Sequence, residues 1–394
     1  MKRTKKTAVL TVLSICMMLS VIGMGPASAD SINPVRDACP VPVSNTEEAP
    51  ELIDCPLVYS TESAGANLRI SIDDFNALGF ACGDSVDLSF SNGYTLEDLP
   101  YYSGYFVEAY QPLLVAYPGA EYVKACINYG EDLWKVAGLS EGDTASVRLH
   151  EKAKYLAIQE AMDIRYTNDR EDYESDEEYA NFRCVTAGSI KENNLYRSAS
   201  PCNNKYRRAS TTDDLAEAAG VNFMLNLSDN EEQIGGFIAA EDFDSPWFLE
   251  LYQNGKVVPL YLSMNFLADD FQKTLAEGLN VMADQEGPYL VHCVEGKDRT
   301  GFVCILLEAL CGASYDEIED DYMLTYDNYY GINEQTDPER YRILKEQNMD
   351  VMLEAIVGDE SVDITSADLS KYAEEYLIRI GVSEQAVEKL KANL

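Results

Sequence analysis

The sequence of residues 287–312 predicts a short strand, a tight loop and a helix in direct succession. The run Gly-Pro-Tyr-Leu-Val at 287–291 predicts a buried strand, and the almost wholly apolar run at 300–310 predicts a buried helix that ends at Gly312. Between them the sequence reads His-Cys-Val-Glu-Gly-Lys-Asp-Arg-Thr-Gly, from His292 to Gly301. A strand, a loop and a helix N-terminus direct successive backbone N–H groups into one concavity, so this segment is predicted to bind a tetrahedral anion.

Two side chains of this segment have the spacing and chemistry of a phosphate-transfer site. Cys293 precedes Arg299 by six residues, and Gly296 lies between them. Helix N-termini and cationic neighbours favour the nucleophilic thiolate of cysteine, and a guanidinium can hold two phosphate oxygens. We therefore predict Cys293 and Arg299 as catalytic residues, with Thr300 donating its hydroxyl to the sulfur when the thiolate leaves. The predicted phosphate-binding loop consists of Val294, Glu295, Gly296, Lys297, Asp298 and Arg299.

The context of the pair matters more than its spacing, because the chain contains a second cysteine with an arginine six residues later. Cys202 and Arg208 have no glycine between them, no apolar strand before them and no buried helix after them. That stretch is predicted to be a polar surface loop. The competing interpretation of Cys293 is a small core thiol in a strand-to-helix turn, and its context favours the catalytic one.

The segment 292–301 resembles the signature loop of cysteine-dependent phosphatases. It is most similar to bacterial secreted tyrosine phosphatases with a Gly-Lys-Asp-Arg-Thr-Gly loop, some of which also act on phosphoinositides. Residues 181–183 and 195–198 are similar to the start of that domain, and residues 220–232 are similar to its acid-bearing strand and loop. The resemblance implies an α/β phosphatase domain, with a central, mostly parallel sheet flanked by helices and a helical C-terminal tail. It also implies that His292 supports the loop rather than transferring protons.

The general acid is the point at which the chain departs from that family. Asn226 stands where related sequences often carry an acidic residue, and an amide is a poor proton donor. Asp298, inside the loop, is the preferred replacement, as in the myotubularin-type loop that Asp-Arg-Thr resembles. Asp229 is the alternative general acid, and it is equally compatible with a turn or helix-cap carboxylate.

Three functions fit these residues. The first is a phosphomonoester hydrolase with a phosphocysteine intermediate, acting as a protein tyrosine phosphatase. The second is hydrolysis of an inositol polyphosphate or phosphoinositide, because Lys297 adds a cation at the loop, although Glu295 opposes its charge. The third is a catalytically weak protein that only binds phosphorylated ligands. The expected partner is a phosphorylated protein or a small phosphorylated substrate.

Residues 1–29 have the pattern of a secretory signal peptide: a basic start, an apolar run and an Ala-Ser-Ala cleavage site ending at Ala29. A single membrane anchor is the competing interpretation. If the signal peptide is cleaved, the protein is predicted to be secreted or held in the cell envelope, without stable membrane insertion.

Cleavage would remove four of the 30 Lys and Arg residues and none of the 68 Asp and Glu residues, which changes the net charge from −38 to −42. Such a charge argues against nucleic-acid binding.

The numbers of cysteine and histidine residues limit which disulfides, metal sites and other catalytic groups the chain can form. Nine of the ten cysteines follow the predicted signal peptide, and an exported chain permits disulfides, with Cys184 and Cys202 as a candidate pair. Two histidines are too few for a typical zinc site or a serine-histidine triad alongside the cysteine site. The predicted site therefore uses no metal and no cofactor.

The N-terminal half is predicted to form a separate domain. After a flexible mature N-terminus at 30–50, residues 51–150 alternate β-like runs with turns and predict a small β-rich, barrel-like domain. Residues 79–90 and 138–149 repeat one pattern, in which a Gly-Asp-Ser or Gly-Asp-Thr turn starts a strand. Residues 151–178 are predicted to form a helix to residue 164 and a solvated acidic linker. The phosphatase-like domain is predicted to cover residues 179–394.

Overall fold

The computed structural model describes residues 49–59 and 64–394. The predicted signal peptide and most of the predicted mature N-terminus lie outside these residues. The first part is built from seven strands and three helices. The strands are β1 (Glu51–Val58), β2 (Ala66–Leu68), β3 (Ser85–Phe90), β4 (Thr95–Tyr102), β5 (Pro112–Val115), β6 (Val123–Ile127) and β7 (Thr144–Glu151). The helices are α1 (Ile72–Ala77), α2 (Leu133–Val136) and α3 (Leu156–Met162).

The seven strands form a closed barrel in the order β1-β2-β6-β5-β4-β3-β7, which confirms the predicted barrel-like domain. The two sequence repeats pair with each other, because β3 and β7 are antiparallel neighbours. Their turns have the same geometry, with Gly83 at φ +96° and Gly142 at φ +97°. In each turn the following aspartate accepts a hydrogen bond of 2.8 Å from the backbone N–H three residues earlier. The repeated pattern therefore encodes two equivalent strand starts, as glycine at positive φ allows.

The second part consists of a five-stranded sheet surrounded by helices. Its strands are β8 (Arg183–Cys184), β9 (Leu195–Ser198), β10 (Phe223–Asn226), β11 (Val257–Pro259) and β12 (Tyr289–His292). Its helices are α4 (Asp176–Ala180), α5 (Ala209–Ala218), α6 (Glu231–Ile238), α7 (Pro246–Gln253), α8 (Asp269–Ala283), α9 (Asp298–Leu310), α10 (Tyr315–Tyr330), α11 (Pro338–Leu344), α12 (Val351–Val357), α13 (Leu369–Ile380) and α14 (Glu384–Asn393). A π-helical segment, Lys345–Asp350, joins α11 to α12.

The sheet has the order β11-β10-β12-β9-β8. The pairs β10–β11, β10–β12 and β12–β9 are parallel, and β8 pairs antiparallel with β9. All four residues of β12 are buried at its centre. Every residue of α9 from Thr300 to Leu310 is also buried, as the apolar sequence of this helix requires. The strand, loop and helix of residues 289–310 thus lie in the middle of the domain core.

The segment between the two parts differs from its prediction. Strand β7 continues through Glu151, and the helix begins only at Leu156, so the predicted helix start is wrong. Asp84 holds the intervening turn by accepting hydrogen bonds of 2.9 Å from Lys152 Nζ and from the Ala153 backbone N–H. The acidic run that follows packs against the second domain, since Tyr173 and Tyr179 are buried.

The prediction of a polar surface loop at residues 202–208 is wrong at both ends of the stretch, although Lys205 and Arg207 between them are exposed. Cys202 is 1% exposed and Arg208 is 2% exposed. The Arg208 guanidinium lies 4.7–5.6 Å from the ring centres of Tyr166, Tyr173, Tyr179 and Tyr329. Three of these tyrosines lie within residues 166–179, and the fourth, Tyr329, lies on α10. Cation–π contacts of this kind stabilise a buried arginine.

The candidate disulfide between Cys184 and Cys202 is also wrong, because both thiols are free. The Cys202 sulfur instead lies 3.5 Å from Ser200 Oγ and 3.8 Å from Asn226 Nδ2. In the described part of the chain, no helix is both long enough and apolar enough to cross a bilayer.

Candidate active site

The predicted phosphate loop connects β12 to α9 at the carboxyl edge of the parallel strands. Cys293 directly follows β12, and it is buried, with 3% of its surface exposed. Gly296 has φ +70°, and a Cβ at this position would lie 2.4 Å from the carbonyl carbon and oxygen of Ser198. The loop therefore needs glycine at 296 for both its backbone angle and its close approach to β9.

Several hydrogen-bond donors converge in this loop without a protein acceptor. Within the described residues, the backbone N–H groups of 294–297 donate to no backbone carbonyl. Arg299 Nε and Thr300 Oγ1 are buried and also have no partner among the described residues. Arg299 Nη1 donates to the Leu262 carbonyl at 3.1 Å, which holds the guanidinium beside the loop. Buried donors are costly unless an acceptor meets them, so this set of donors is suited to an oxyanion.

The carbonyls of the loop are held from behind by three side chains. Arg197 Nη2 donates to the Gly296 carbonyl at 3.0 Å, and Asn181 Nδ2 donates to the same oxygen at 3.2 Å. Tyr329 Oη donates to the Glu295 carbonyl at 2.8 Å. Because the N–H and C=O of a trans peptide point in opposite directions, fixing these carbonyls turns the next N–H groups toward the concavity.

A buried ion-pair network supports these braces. Asp321 on α10 accepts from Arg197 Nη1 at 2.5 Å and from Arg183 Nε at 2.8 Å. Burial raises the pKa of Asp321, but the two arginines outweigh it and hold that pKa well below the ordinary range. Glu308, buried on α9, has its pKa raised well above normal by burial and by the charge of Asp321. The Asp321 carboxylate is thus shared by two arginines.

Lys297 and Glu295 both have partners within the protein. Lys297 Nζ lies 3.7 Å from Asp298 Oδ1 and 5.8 Å from the ring centre of Tyr326. Burial alone would lower the pKa of Lys297, but the nearby acidic groups, led by Asp298, hold it well above its usual value. The Glu295 carboxylate accepts a short hydrogen bond from the Tyr166 hydroxyl. Lys297 therefore keeps its positive charge and lies beside the Asp298 carboxylate.

His292 is fully buried, and both of its ring nitrogens lack a hydrogen-bond partner among the described residues. Burial lowers the pKa of His292 to about 4, although the charge of Asp229 opposes the shift. The ring is therefore neutral near pH 7.

The two candidate general acids lie in different surroundings. Asp229 is 2% exposed, accepts hydrogen bonds from Ser228 Oγ at 2.7 Å and Asn203 Nδ2 at 3.4 Å, and has its backbone N–H bound by Asn226 Oδ1. The side chain of Asp298 is 25% exposed at the first turn of α9. Residues 260–268, the segment that contacts Arg299, contain no acidic residue. Of the two, Asp298 has the more exposed carboxylate.

The braces Asn181 and Arg197 were not among the residues predicted for the site. Their only sequence signal was the similarity of residues 181–183 and 195–198 to the start of the phosphatase domain. Within residues 49–59 and 64–394, no group of three or more His, Cys, Asp or Glu side chains has an arrangement that could hold a metal ion.

Sequence comparisons extend over the whole second part of the chain. Residues 151–394 match the sequence model of the tyrosine phosphatase family. The match includes residues 151–178, which were predicted as a linker. A tyrosine-protein phosphatase from Nostoc commune is 33% identical over 129 residues, covering 29% of this chain and 41% of the relative. The chain therefore matches less than half the length of that relative.

Two solved structures show distant similarity. The core catalytic domain of the PP-IP phosphatase SIW14 from S. cerevisiae, in complex with citrate, is 22% identical with a TM-score of 0.26, covering 42% of this chain and 91% of that one. TpbA from P. aeruginosa is 17% identical with a TM-score of 0.22, covering 53% and 95%. At these scores, nothing about this chain follows from either structure.

Proposed function

Because the chain belongs to the tyrosine phosphatase family, we propose that it hydrolyses phosphomonoesters through a phosphocysteine on Cys293. Phosphotyrosine in a protein is the proposed substrate. The observation that carries the proposal is the set of donors around Cys293: the unpartnered loop N–H groups, the Arg299 guanidinium and the Thr300 hydroxyl. Donors fixed in advance where negative charge develops are the main source of transition-state stabilisation.

The reaction proceeds in two displacements at phosphorus. The Cys293 thiolate attacks phosphorus, the P–O bond to the tyrosine oxygen breaks, and Asp298 donates a proton to the departing phenolate. Water then attacks the phosphocysteine, Asp298 accepts its proton, and the thiolate leaves with inorganic phosphate as the product. Arg299 holds two equatorial oxygens throughout, and Thr300 donates its hydroxyl to the leaving sulfur.

We rank phosphotyrosine ahead of a highly phosphorylated ring. The argument for such a ring rests on the added cation of Lys297, and Lys297 Nζ already lies 3.7 Å from Asp298 Oδ1. A second phosphate would have to compete with a carboxylate already beside Nζ. Phosphotyrosine needs only the cradle formed by the loop and Arg299, so it is the substrate that we propose.

A stopped-flow burst of nitrophenol from nitrophenyl phosphate tests the mechanism. We expect a burst that vanadate blocks and a metal chelator leaves intact, and a phosphoryl adduct on Cys293 in rapidly quenched samples analysed by mass spectrometry. Cys293→Ser should abolish both signals, and Cys202→Ser, in the other Cys-x5-Arg of the chain, should retain them. Tight binding of phosphotyrosine peptide without turnover would instead establish the binding-protein alternative.

A further inference from the structure

Glu295 is held at both its carboxylate and its backbone carbonyl by two tyrosines that pack against each other. The Tyr166 hydroxyl donates a short hydrogen bond to the carboxylate, and Tyr329 Oη donates to the carbonyl at 2.8 Å. The two rings are stacked, with their centres 4.8 Å apart and their planes inclined by 18°. Asn181 Nδ2 also lies 3.4 Å from the Glu295 carbonyl oxygen. The side chain and the main chain of this loop residue are therefore fastened to the same support.

The two tyrosines are in turn fixed by Arg208, the arginine of the second Cys-x5-Arg stretch. Its buried guanidinium lies 4.9 Å from the ring centre of Tyr166 and 5.1 Å from that of Tyr329. Arg208 Nη2 donates to the Thr167 carbonyl at 3.0 Å, and Nη1 donates to Asn168 Oδ1 at 2.7 Å. These bonds hold the two residues that directly follow Tyr166. The tyrosine that reaches the phosphate loop thus comes from the stretch predicted as a solvated linker, and it is tied to the second part of the chain.

Glu295 has two opposing effects on an anion bound in the loop. Its negative charge repels phosphate, because the residue belongs to the loop itself. Its contacts with the tyrosines favour phosphate, because a fixed Glu295 carbonyl turns the Gly296 N–H toward the concavity, and a loop held in its binding conformation loses less freedom when the anion arrives. Hydrogen bonds to an ionised group are roughly twice as strong as neutral ones. The carboxylate is therefore an effective anchor for the Tyr166 hydroxyl.

We propose that Tyr166 and Glu295 are positioning residues for phosphate: the hydrogen bond between them holds the loop ready for the anion, and this gain outweighs the repulsion by the Glu295 charge. The inference rests on the part of the proposed function in which the loop binds phosphate. It also makes the stretch before the first helix of the second part, from Tyr166 onward, a part of the structure that forms the site.

Calorimetric titration with inorganic phosphate measures this effect without depending on turnover. Tyr166→Phe keeps the ring but removes the donor, and we expect it to raise the dissociation constant of phosphate about fivefold. Glu295→Ala removes both the acceptor and the charge, and it should weaken phosphate binding to a similar extent. Glu295→Gln keeps an acceptor oxygen for the phenol, and it should bind phosphate within about twofold of the wild-type protein.

A double variant shows whether the two side chains act through their mutual contact. If they do, adding Tyr166→Phe to Glu295→Ala should cause little further loss of phosphate affinity, whereas independent contributions would multiply. The matched control is Tyr315→Phe, which removes a phenol that donates to the Asp350 carboxylate at 2.6 Å, outside the loop. It should lower the temperature of thermal unfolding as Tyr166→Phe does, and it should leave phosphate binding unchanged.

Unchanged or tighter phosphate binding by Glu295→Ala would mean that the charge of Glu295 dominates, and it would overturn the inference. Losses that multiply in the double variant, an equal loss in Tyr315→Phe, or a loss in Glu295→Gln as large as in Glu295→Ala would overturn it as well. Phosphate binding by the wild-type protein without Cys293-dependent turnover would overturn the proposed hydrolysis and leave the inference intact. Absence of phosphate binding by the wild-type protein would overturn both.

Discussion

Asp298 begins α9 and its side chain is 25% exposed, and it is the residue that we propose as the proton donor to the leaving oxygen. We predict that Asp298→Asn lowers kcat/KM for a phosphotyrosine peptide by about 100-fold, the range of general acid catalysis. Turnover of nitrophenyl phosphate should fall much less, because nitrophenolate leaves without a proton. The measurement is kcat/KM on both substrates for Asp298→Asn and, as the control, Asp229→Asn. Equal losses on the two substrates, or a selective loss only in Asp229→Asn, would remove Asp298 as the acid.

His292 gives the folded protein a specific dependence on pH. Its pKa in the folded state is about 4, whereas an unfolded histidine titrates near 6.5. Between these values the unfolded chain binds the additional proton, so this contribution to stability is present above about pH 6.5 and is lost as the pH falls toward 4. The full loss is roughly 3 kcal/mol.

Urea unfolding of wild-type protein and His292→Phe at pH 7 and pH 4.5 checks this expectation. The variant keeps a ring but cannot titrate, so its free energy of unfolding should fall less between the two pH values. Asp213, whose pKa burial raises to about 6, contributes with the opposite sign, but it is present in both proteins and cancels in the comparison. Identical pH dependence in the two proteins would contradict the buried, neutral histidine.

At the scale of elements, the phosphate loop depends on how β9 and α10 meet behind it. Arg197 joins Asp321 to the carbonyls of Gly296 and Lys297. Lysine retains the charge at this position but has no planar fork. We predict that Arg197→Lys destabilises the fold by about 3 kcal/mol or more, as expected for a disrupted buried pair, and raises the inhibition constant of inorganic phosphate several-fold.

Arg183→Lys is the comparison variant, because Arg183 shares Asp321 but reaches the loop only through Asn181, whose Oδ1 accepts a hydrogen bond of 2.7 Å from Arg183 Nη1. It should reduce the free energy of unfolding and raise the phosphate inhibition constant less than Arg197→Lys does. If both variants affect phosphate inhibition equally, Arg197 acts through general stability and does not position the loop.

The contrast between local and distant contacts explains which elements the sequence could predict. The unit from β12 through α9 was predictable, because its apolar runs and Gly296 are contiguous in the chain. The barrel was predictable from its repeated Gly-Asp turns, which act within a few residues of each strand. The burial of Arg208 was not, because its cage combines tyrosines from positions 166 to 329.

For the whole molecule, the net charge of −38 surrounds a site that is proposed to bind a phosphorylated substrate. The global field repels an acidic phosphopeptide, and only the local donors near Arg299 attract it. The Debye length falls from about 30 Å at 0.01 M salt to about 8 Å at 0.15 M, so salt should screen the distant carboxylates more than the contacts inside the cleft. We therefore predict that kcat/KM for an acidic phosphotyrosine peptide rises several-fold between about 0.01 M and 0.15 M sodium chloride.

A peptide with lysines on both sides of the phosphotyrosine should show the opposite trend, because the same field attracts it. A decrease in kcat/KM with salt for the acidic peptide would mean that the positive field of the site extends beyond the cleft and outweighs the surface charge.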